Sequence, residues 1–125
     1  MRRMSVLLID DEPSFVDILS KRLSKRGFCV FTSYSGQEAL EQLGEGQSID
    51  VAILDIKMPG MDGMAALSEI RKRFPGVRVI ILTSLATVKT AIEGMKLGAF
   101  DCLMKPCDID QLTTRIREAV SEKDY

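Results

Sequence analysis

A short apolar run followed by an amphipathic helical segment occurs five times in this 125-residue chain. Three of the runs are rich in Val, Ile and Leu with little polar alternation, which is typical of strands buried on both faces of a parallel sheet. Repeated alternation of strand and helix implies right-handed crossovers, with helices on both faces. We therefore predict an α/β fold, a doubly wound five-stranded parallel (βα)5 sheet. The predicted strands are Ser5–Ile9, Phe28–Thr32, Val51–Leu54, Val79–Leu82 and Asp101–Met104.

Apolar residues at helical spacing define the segments between the strands. Gly27 follows the first of these segments, where a helix C-terminus favours a left-handed residue. The stripes expected to face the core are Phe15, Ile18, Leu19 and Leu23 in the first helix, and Val88, Ala91, Ile92 and Met95 in the fourth.

Composition and charge exclude several classes of protein. The hydrophobic fraction of 46% and the charged fraction of 28% are ordinary for a globular domain. The net charge of −1 argues against a domain that binds nucleic acid by itself. No apolar run approaches the ~20 residues of a membrane span, and the one behind the basic start ends at Asp10, too early for a signal peptide. We expect one cytoplasmic domain over residues 1–125, with a core over about 5–120.

Histidine and cysteine usage narrows the chemistry further. The chain has no histidine, which excludes a histidine base, a histidine metal ligand and a phosphohistidine of its own. Its three cysteines, Cys29, Cys102 and Cys107, form no CxxC pair. Disulfides and zinc are therefore not expected, and we interpret these side chains as small apolar groups in or near the core.

Polar residues stand where four of the predicted strands end. In an open α/β sheet, functional groups gather at the carboxyl ends of the strands, so these side chains are expected to share one pocket. Neighbouring carboxylates repel, and a hard cation such as Mg²⁺, which prefers oxygen ligands, removes the repulsion. A solvated acidic turn would explain the first acidic group alone, but a carboxylate on another strand favours a metal. The residues are Asp10, Asp11 and Glu12 after the first strand, Asp55 after the third, Thr83 after the fourth and Lys105 after the fifth.

Asp55 ends an otherwise apolar run and so emerges from the core at the edge of the sheet. A carboxylate beside Mg²⁺ can attack a phosphoryl group and form an acyl phosphate. The transferring group carries its charge on three equatorial oxygens, so catalysis is mostly positioning and neutralisation. We expect Mg²⁺ to take one oxygen, the Lys105 ammonium a second, and the Thr83 hydroxyl with a backbone N–H the third.

Four segments of the chain resemble the receiver domain of two-component response regulators, a family with a flavodoxin-like fold. The resemblance runs from about Ser5 to Val120, and Thr83 and Lys105 follow Asp55 by 28 and 50 residues. The segments are LLIDDEP at 7–13, ILDIKMPGMDG at 53–63, VIILTS at 79–84 and GAFDCLMKP at 98–106.

The resemblance implies a phosphoacceptor and its metal ligands. Asp55 would take its phosphoryl group from a phosphohistidine on a sensor kinase or a phosphotransfer protein. Mg²⁺, or Mn²⁺, would bind Asp11, Asp55 and the backbone carbonyl of Lys57, with Asp10 often acting through water. Such a domain is not an enzyme for a separate substrate, since it catalyses only its own phosphorylation and slow dephosphorylation.

The resemblance also implies a switch and an output surface. Thr83 would be the switch hydroxyl, and Lys105 would pair with the phosphoryl group, with a cis Lys105–Pro106 bond. Output would use the surface of the fourth helix, fifth strand and fifth helix, through a phosphorylation-dependent homodimer or a partner; a plain solvated face remains the alternative. Its charged residues are Lys89, Glu93, Lys96, Asp101, Arg115 and Glu118.

Cys102 departs from the family pattern. Three residues before the lysine, receiver domains usually place Tyr or Phe as the second half of the switch. Cysteine is too small to fill the space left by a moving threonine, so coupling from Asp55 to the output surface is expected to be weaker or to rest on other groups. A redox role for Cys102 is a further alternative.

Three other interpretations compete with a working receiver. A flavodoxin-like cofactor binder would need a Ser/Thr/Gly phosphate loop where DDEP stands, and an aspartate-nucleophile phosphatase would need Asp-x-Asp and a cap domain. A degenerate receiver would act as an interaction module without phosphorylation.

The chain is either a standalone receiver or the N-terminal part of a longer regulator. The segment GMKLGAFD at 94–101 resembles receivers joined to transcription-activating ATPase modules.

Residues that flank the path of an attacking water set the lifetime of an acyl phosphate. Here they are Lys57, which offers no acceptor, and Leu85, which is apolar. We expect slow self-dephosphorylation, and faster phosphoryl loss in the double variant Lys57→Asn, Leu85→Glu. The decay of phosphorylated protein, followed by intact mass spectrometry, measures both rates. An unchanged decay would contradict the prediction.

Overall fold

Five parallel strands form one sheet in this computed structural model, which describes residues 3–57 and 62–123. The strands are β1 Ser5–Ile9, β2 Cys29–Ser33, β3 Val51–Leu54, β4 Arg78–Thr83 and β5 Asp101–Met104. Their spatial order is β2-β1-β3-β4-β5, and every neighbouring pair is parallel. β2 therefore lies on one side of β1, and β3, β4 and β5 lie on the other, which confirms the predicted doubly wound topology.

Helices cover both faces of the sheet. They are α1 Pro13–Lys25, α2 Gly36–Gly44, α3 Gly63–Arg73, α4 Val88–Lys96 and α5 Ile109–Lys123. Alternate strand residues point to opposite layers: Leu7 and Ile9 pack with α2 and α3, whereas Val6 and Leu8 pack with α1 and α5. Within the described ranges, no helix is long and apolar enough to cross a membrane.

Three predicted strands have the observed bounds, and two differ. β2 begins at Cys29 rather than Phe28, because the Phe28 N–H bonds to the Leu23 carbonyl at the end of α1 while the Cys29 N–H bonds to Met4 across the sheet. β4 is longer than Val79–Leu82, and its first residue is Arg78, whose N–H bonds to the carbonyl of Asp50. Hydrophobic runs therefore located the strands, but hydrogen bonding set their ends.

The first helix follows its predicted stripe with one exception. Leu19 and Leu23 are buried and Gly27 has a φ of +93°, as expected of a left-handed helix end. Ile18 was expected in the core but is 59% exposed, and Val16 is buried instead. Because α1 contacts the sheet along Val16, Leu19 and Leu23, Ile18 lies outside that line.

The fourth helix is oriented against the prediction. Val88, Ile92 and Met95 face solvent, with exposures of 79%, 51% and 48%, and Gly94 is the buried residue of the helix. A Cβ on Gly94 would lie 2.4 Å from the Ile81 side chain, so only a glycine permits this close approach to β4. The large apolar side chains consequently lie on the outer face of α4.

Candidate functional site

Sheet hydrogen bonds continue past the strand ends and fix the backbone of the site. The Asp10 N–H donates to the Ser33 carbonyl at 3.1 Å, and the Asp55 N–H donates to the Ile9 carbonyl at 3.0 Å. On the other side, the Lys105 N–H donates to the Thr83 carbonyl at 3.0 Å. The residues that the sequence placed at four strand ends therefore meet at one edge of the sheet.

Asp55 is buried and receives hydrogen bonds on both carboxylate oxygens. Its Oδ1 accepts from the Thr83 hydroxyl at 2.7 Å and from the Lys57 backbone N–H at 3.0 Å. Its Oδ2 accepts from the Lys105 ammonium at 3.1 Å. Asp55 and Thr83 are 4% and 0% exposed, so these bonds hold the carboxylate in a single orientation at the base of the site.

Lys105 joins three carboxylates. Its Nζ lies 2.6 Å from Asp10 Oδ2, 3.1 Å from Asp55 Oδ2 and 3.4 Å from Glu12 Oε1. The peptide bond between Lys105 and Pro106 is cis. The Lys105 side chain is only 11% exposed, whereas that of Glu12 is 63% exposed, so the bonds to Asp10 and Asp55 are the shielded ones.

Opposing effects act on the titration of these groups. Burial raises the pKa of Asp10 by more than its hydrogen bonds from Lys105 and the Glu12 N–H lower it. For Lys105, burial lowers the pKa, but the hydrogen bonds and charges of Asp10 and Asp55 outweigh burial and leave the pKa above its ordinary value. The surroundings therefore favour the ammonium form of Lys105, whereas burial disfavours the charged form of Asp10.

Three carboxylates at this edge could hold a metal ion. Asp10, Asp11 and Asp55 offer oxygen atoms that lie within 4.8 Å of one another. Asp10 and Asp55 have hydrogen-bond donors and a cation beside them. Among the described residues, the Asp11 carboxylate has neither. All-oxygen donors with excess negative charge suit a hard divalent cation such as Mg²⁺.

An open cleft of about 750 Å³ lies over these groups. Its lining includes Asp11, Glu12, Asp55, Lys57 and Leu85. The two residues predicted to flank an attacking water thus stand beside the phosphoacceptor candidate. The predicted ligand role of the Lys57 carbonyl stays a prediction, since Lys57 is placed here by its N–H, which bonds to Asp55.

Cys102 is half-buried against the core layer of α2 and α3, and it does not line the cleft. Burial raises the pKa of its thiol, and the Asp101 charge raises it further. Because the thiolate is the reactive form of cysteine, this environment disfavours the redox role considered for Cys102.

Phe15 is a site residue that sequence reasoning missed. It was assigned to the core stripe of α1, yet its ring centroid lies 4.1 Å from the Lys105 ammonium. The available signal was its position, five residues after Asp10 in the first turn of α1, just beyond an acidic loop. The apolar spacing of a helix does not distinguish an aromatic ring that only packs in the core from one that also contacts a cation.

Comparison with known proteins identifies the family. The family model described as response regulator receiver domain matches residues 6–117. The transcriptional regulatory protein ZraR of Salmonella typhimurium is 37% identical over 119 residues, which are 95% of this chain and 27% of ZraR. The DNA-binding transcriptional regulator NtrC of Escherichia coli is 39% identical over 121 residues, 97% of this chain and 26% of NtrC.

A solved structure agrees with the sequence matches. The receiver domain protein from Methanospirillum hungatei has a TM-score of 0.92 and 27% identity, with 98% of each chain covered. The chain belongs to the family of response regulator receiver domains. It spans about a quarter of the length of the curated relatives named above.

Removal of the Thr83 hydroxyl tests how strongly this site is held together. We expect Thr83→Val to lower the free energy of unfolding by about 1.5–3 kcal/mol, because a bond to a charged acceptor is lost and the Leu85 N–H, which donates to Thr83 Oγ1, loses its acceptor. Urea unfolding measures the change. The control is Thr113→Val, at a similarly buried hydroxyl that donates to a helix carbonyl. Equal losses in both variants would contradict a special role for the Asp55 bond.

Proposed function

We propose that this receiver domain takes a phosphoryl group onto Asp55 from the phosphohistidine of a sensor kinase or phosphotransfer protein, and that the modification changes an output surface. One observation carries the proposal. The Asp55 carboxylate lies at the base of an open cleft, within hydrogen-bond distance of both the Thr83 hydroxyl and the Lys105 ammonium. These are a hydrogen-bond donor and a cation, two of the groups that can stabilise the charge of a transferring phosphoryl group.

The transfer is a displacement at phosphorus. A carboxylate oxygen of Asp55 forms the new bond to phosphorus while the bond from phosphorus to the donor nitrogen breaks, and the leaving imidazole takes a proton from water. Lys105 moves its hydrogen bond from Asp55 Oδ2 to a phosphoryl oxygen, and the Thr83 hydroxyl turns to another. The protein thus catalyses only its own modification and acts as a signalling module.

The proposed ligands of Mg²⁺ or Mn²⁺ are the carboxylates of Asp10, Asp11 and Asp55 and the backbone carbonyl of Lys57. When bound, the ion supplies positive charge for a phosphoryl oxygen and orients it for in-line attack. The cluster supports this assignment by its chemistry. The Lys105 ammonium pairs with three carboxylates at once, and Asp11 has no partner among the described residues.

Coupling to the output surface is proposed to begin at Thr83. Its Oγ1 donates to Asp55 and accepts from the Leu85 N–H at 3.2 Å. A hydroxyl that turns toward a phosphoryl group therefore acts on the loop between β4 and α4. In that loop the Leu85 carbonyl accepts from Thr90, which also forms the reciprocal cap of α4 with Thr87. This route does not need an aromatic residue at position 102.

The outer face of α4 and β5 is the proposed output surface, in a phosphorylation-dependent homodimer or against a partner. Its apolar side chains are Leu85, Val88, Ile92, Met95 and Met104, all at least 43% exposed. Contiguous exposed apolar groups with charges around them are typical of interaction sites. On α5, Arg115 pairs with Asp101 at 3.1 Å and with Glu118 at 3.0 Å, while Lys89, Glu93 and Lys96 are exposed on α4.

Residues 1–125 are proposed to form one receiver domain of a longer cytoplasmic response regulator, with an output domain outside this chain. The support is the quarter-length coverage of relatives whose names describe transcriptional regulators. Regulation of transcription is the output we propose. A standalone receiver is the other arrangement, and neither requires this domain to contact nucleic acid or membrane.

A phosphorylation-independent interaction module is the second candidate. The observation that favours it is the apolar face of α4, which is exposed with Asp55 unmodified. Such a module would bind its partner equally well before and after treatment with a phosphodonor.

Intact mass spectrometry after incubation with acetyl phosphate tests the proposed function. We expect the wild-type protein to gain the mass of one phosphoryl group in the presence of Mg²⁺ and not in its absence. Asp55→Asn should gain none, and Asp17→Asn, an equal change of charge at an exposed residue of α1, should react like the wild type. A wild-type protein that gains no mass and does not bind beryllofluoride would leave the interaction module as the function.

Size-exclusion chromatography with beryllofluoride, a mimic of the phosphoryl group, tests the output surface. We expect the ligand to shift the wild-type protein toward a dimer and Ile92→Glu to remain monomeric, because a buried unpaired carboxylate is costly. The control Ile18→Glu alters another exposed apolar residue, on α1, and should dimerise normally. If Ile92→Glu dimerises as readily as the control, the dimer forms through another face.

A further inference from the structure

The Lys105 ammonium lies against an aromatic ring as well as among carboxylates. Its Nζ is 4.1 Å from the centroid of Phe15, well inside the roughly 6 Å over which a cation is attracted to a ring face. The other cation–ring pairs of the described residues, Arg73 with Phe74 and Arg117 with Phe28, are longer at 5.3 Å and 5.2 Å. The closest such contact therefore involves the cation of the phosphorylation site.

The position of Phe15 is set by elements that also shape the site. α1 begins at Pro13, directly after the acidic loop, so Phe15 falls in its first turn. The ring packs on the core layer of α1 and α5, and it lines a small cavity of about 10 Å³ together with Asp10 and Asp55. A space of that size holds about one water molecule. The Lys105 side chain beside the ring is only 11% exposed, so bulk water has little access to the ammonium.

A ring suits this position better than another hydrogen-bonding group would. Lysine has a strongly hydrated head on a flexible stem, so a free Lys105 would occupy many positions and would need to lose water before meeting a phosphoryl oxygen. A carboxylate at position 15 would hold the ammonium but cancel its charge. The attraction of a ring face is not directed at one atom, and it persists while Nζ moves from Asp55 toward an incoming oxygen.

We propose that Phe15 is a positioning residue for phosphoryl transfer, whose ring holds the Lys105 ammonium dehydrated and within reach of Asp55. The inference rests on the proposed function of Asp55 and adds a residue to the phosphorylation machinery. The competing explanation is that Phe15 only fills space between α1 and the sheet. The two explanations differ in one property, because packing depends on the shape of the ring and cation attraction depends on its electron density.

Fluorinated phenylalanines separate these properties. Mono-, di- and trifluorophenylalanine at position 15 keep the ring nearly the same size and progressively remove the negative charge of its face. We expect the rate of phosphoryl uptake from acetyl phosphate at saturating Mg²⁺ to fall stepwise along the series. Phe15→Leu should react about three- to tenfold more slowly than the wild type, and Phe15→Tyr should retain most of the rate.

Phe74 provides the matched control. It is half-buried like Phe15 and lies beside a cation, Arg73, but it packs on the layer of α2 and α3. The same fluorinated series at Phe74 should leave the rate unchanged. Urea unfolding of every variant checks that the fold persists, and rates are compared only among variants of similar stability.

NMR gives a readout that does not depend on phosphorylation. A ring face above the Lys105 ε-methylene shifts its protons upfield, and Phe15→Leu should abolish that shift. A wild type that reacts while the Phe15 series stays flat, or a Phe74 series that falls equally, would overturn this inference and leave the function of Asp55 intact. A wild type that takes up no phosphoryl group would remove the proposed function, and this inference with it.

Discussion

One ammonium shared by three carboxylates is the interaction on which the site depends. Lys105 reaches Asp10 and Asp55 across the ends of three strands, and it does so at 11% exposure, where isolated charges are expensive. Without this cation, two carboxylates that are 4% exposed would face each other unpaired. The backbone of the same lysine is held by the ladder bond to Thr83, and its ammonium lies against the ring of Phe15.

The sequence was most informative where a physical rule ties pattern to position. Strands that are buried on both faces must be apolar, and the polar residues that follow them meet at one edge, so the order of residues alone groups Asp10, Asp55, Thr83 and Lys105. α4 could not be oriented in this way. Its apolar stripe has helical spacing, but Gly94 rather than Ile92 faces β4, because the closeness of that contact requires a residue without a side chain. The spacing of apolar residues shows that a helix is amphipathic, but it does not show which face of the helix packs more closely against the sheet.

The magnitudes indicate that the proposed switch would rest on several contacts together. Moving a domain from about 1% to about 99% active needs roughly 5.5 kcal/mol of preference for the modified state. A hydrogen bond to a charged group is worth about 1.5–3 kcal/mol, so the Thr83 hydroxyl alone falls short. Lys105 and a bound cation must therefore contribute as well. With Cys102 in place of a large aromatic side chain, the bond from Leu85 to Thr83 is the described link between Asp55 and the loop that precedes α4.

A count of charges is the argument for placing a divalent cation and an aromatic ring in the same proposed site. Among the described residues, Lys105 is the one cation that pairs with any of the four carboxylates Asp10, Asp11, Glu12 and Asp55. Phosphorylation would make Asp55 more negative by up to about one further charge. The ammonium cannot balance this excess, so we expect the proposed phosphorylation to require a divalent cation. Any acidic neighbour added to hold Lys105 would enlarge the excess. Phe15 lies against the cation without adding negative charge, which in the proposed mechanism would leave the charge of Lys105 available to the phosphoryl group.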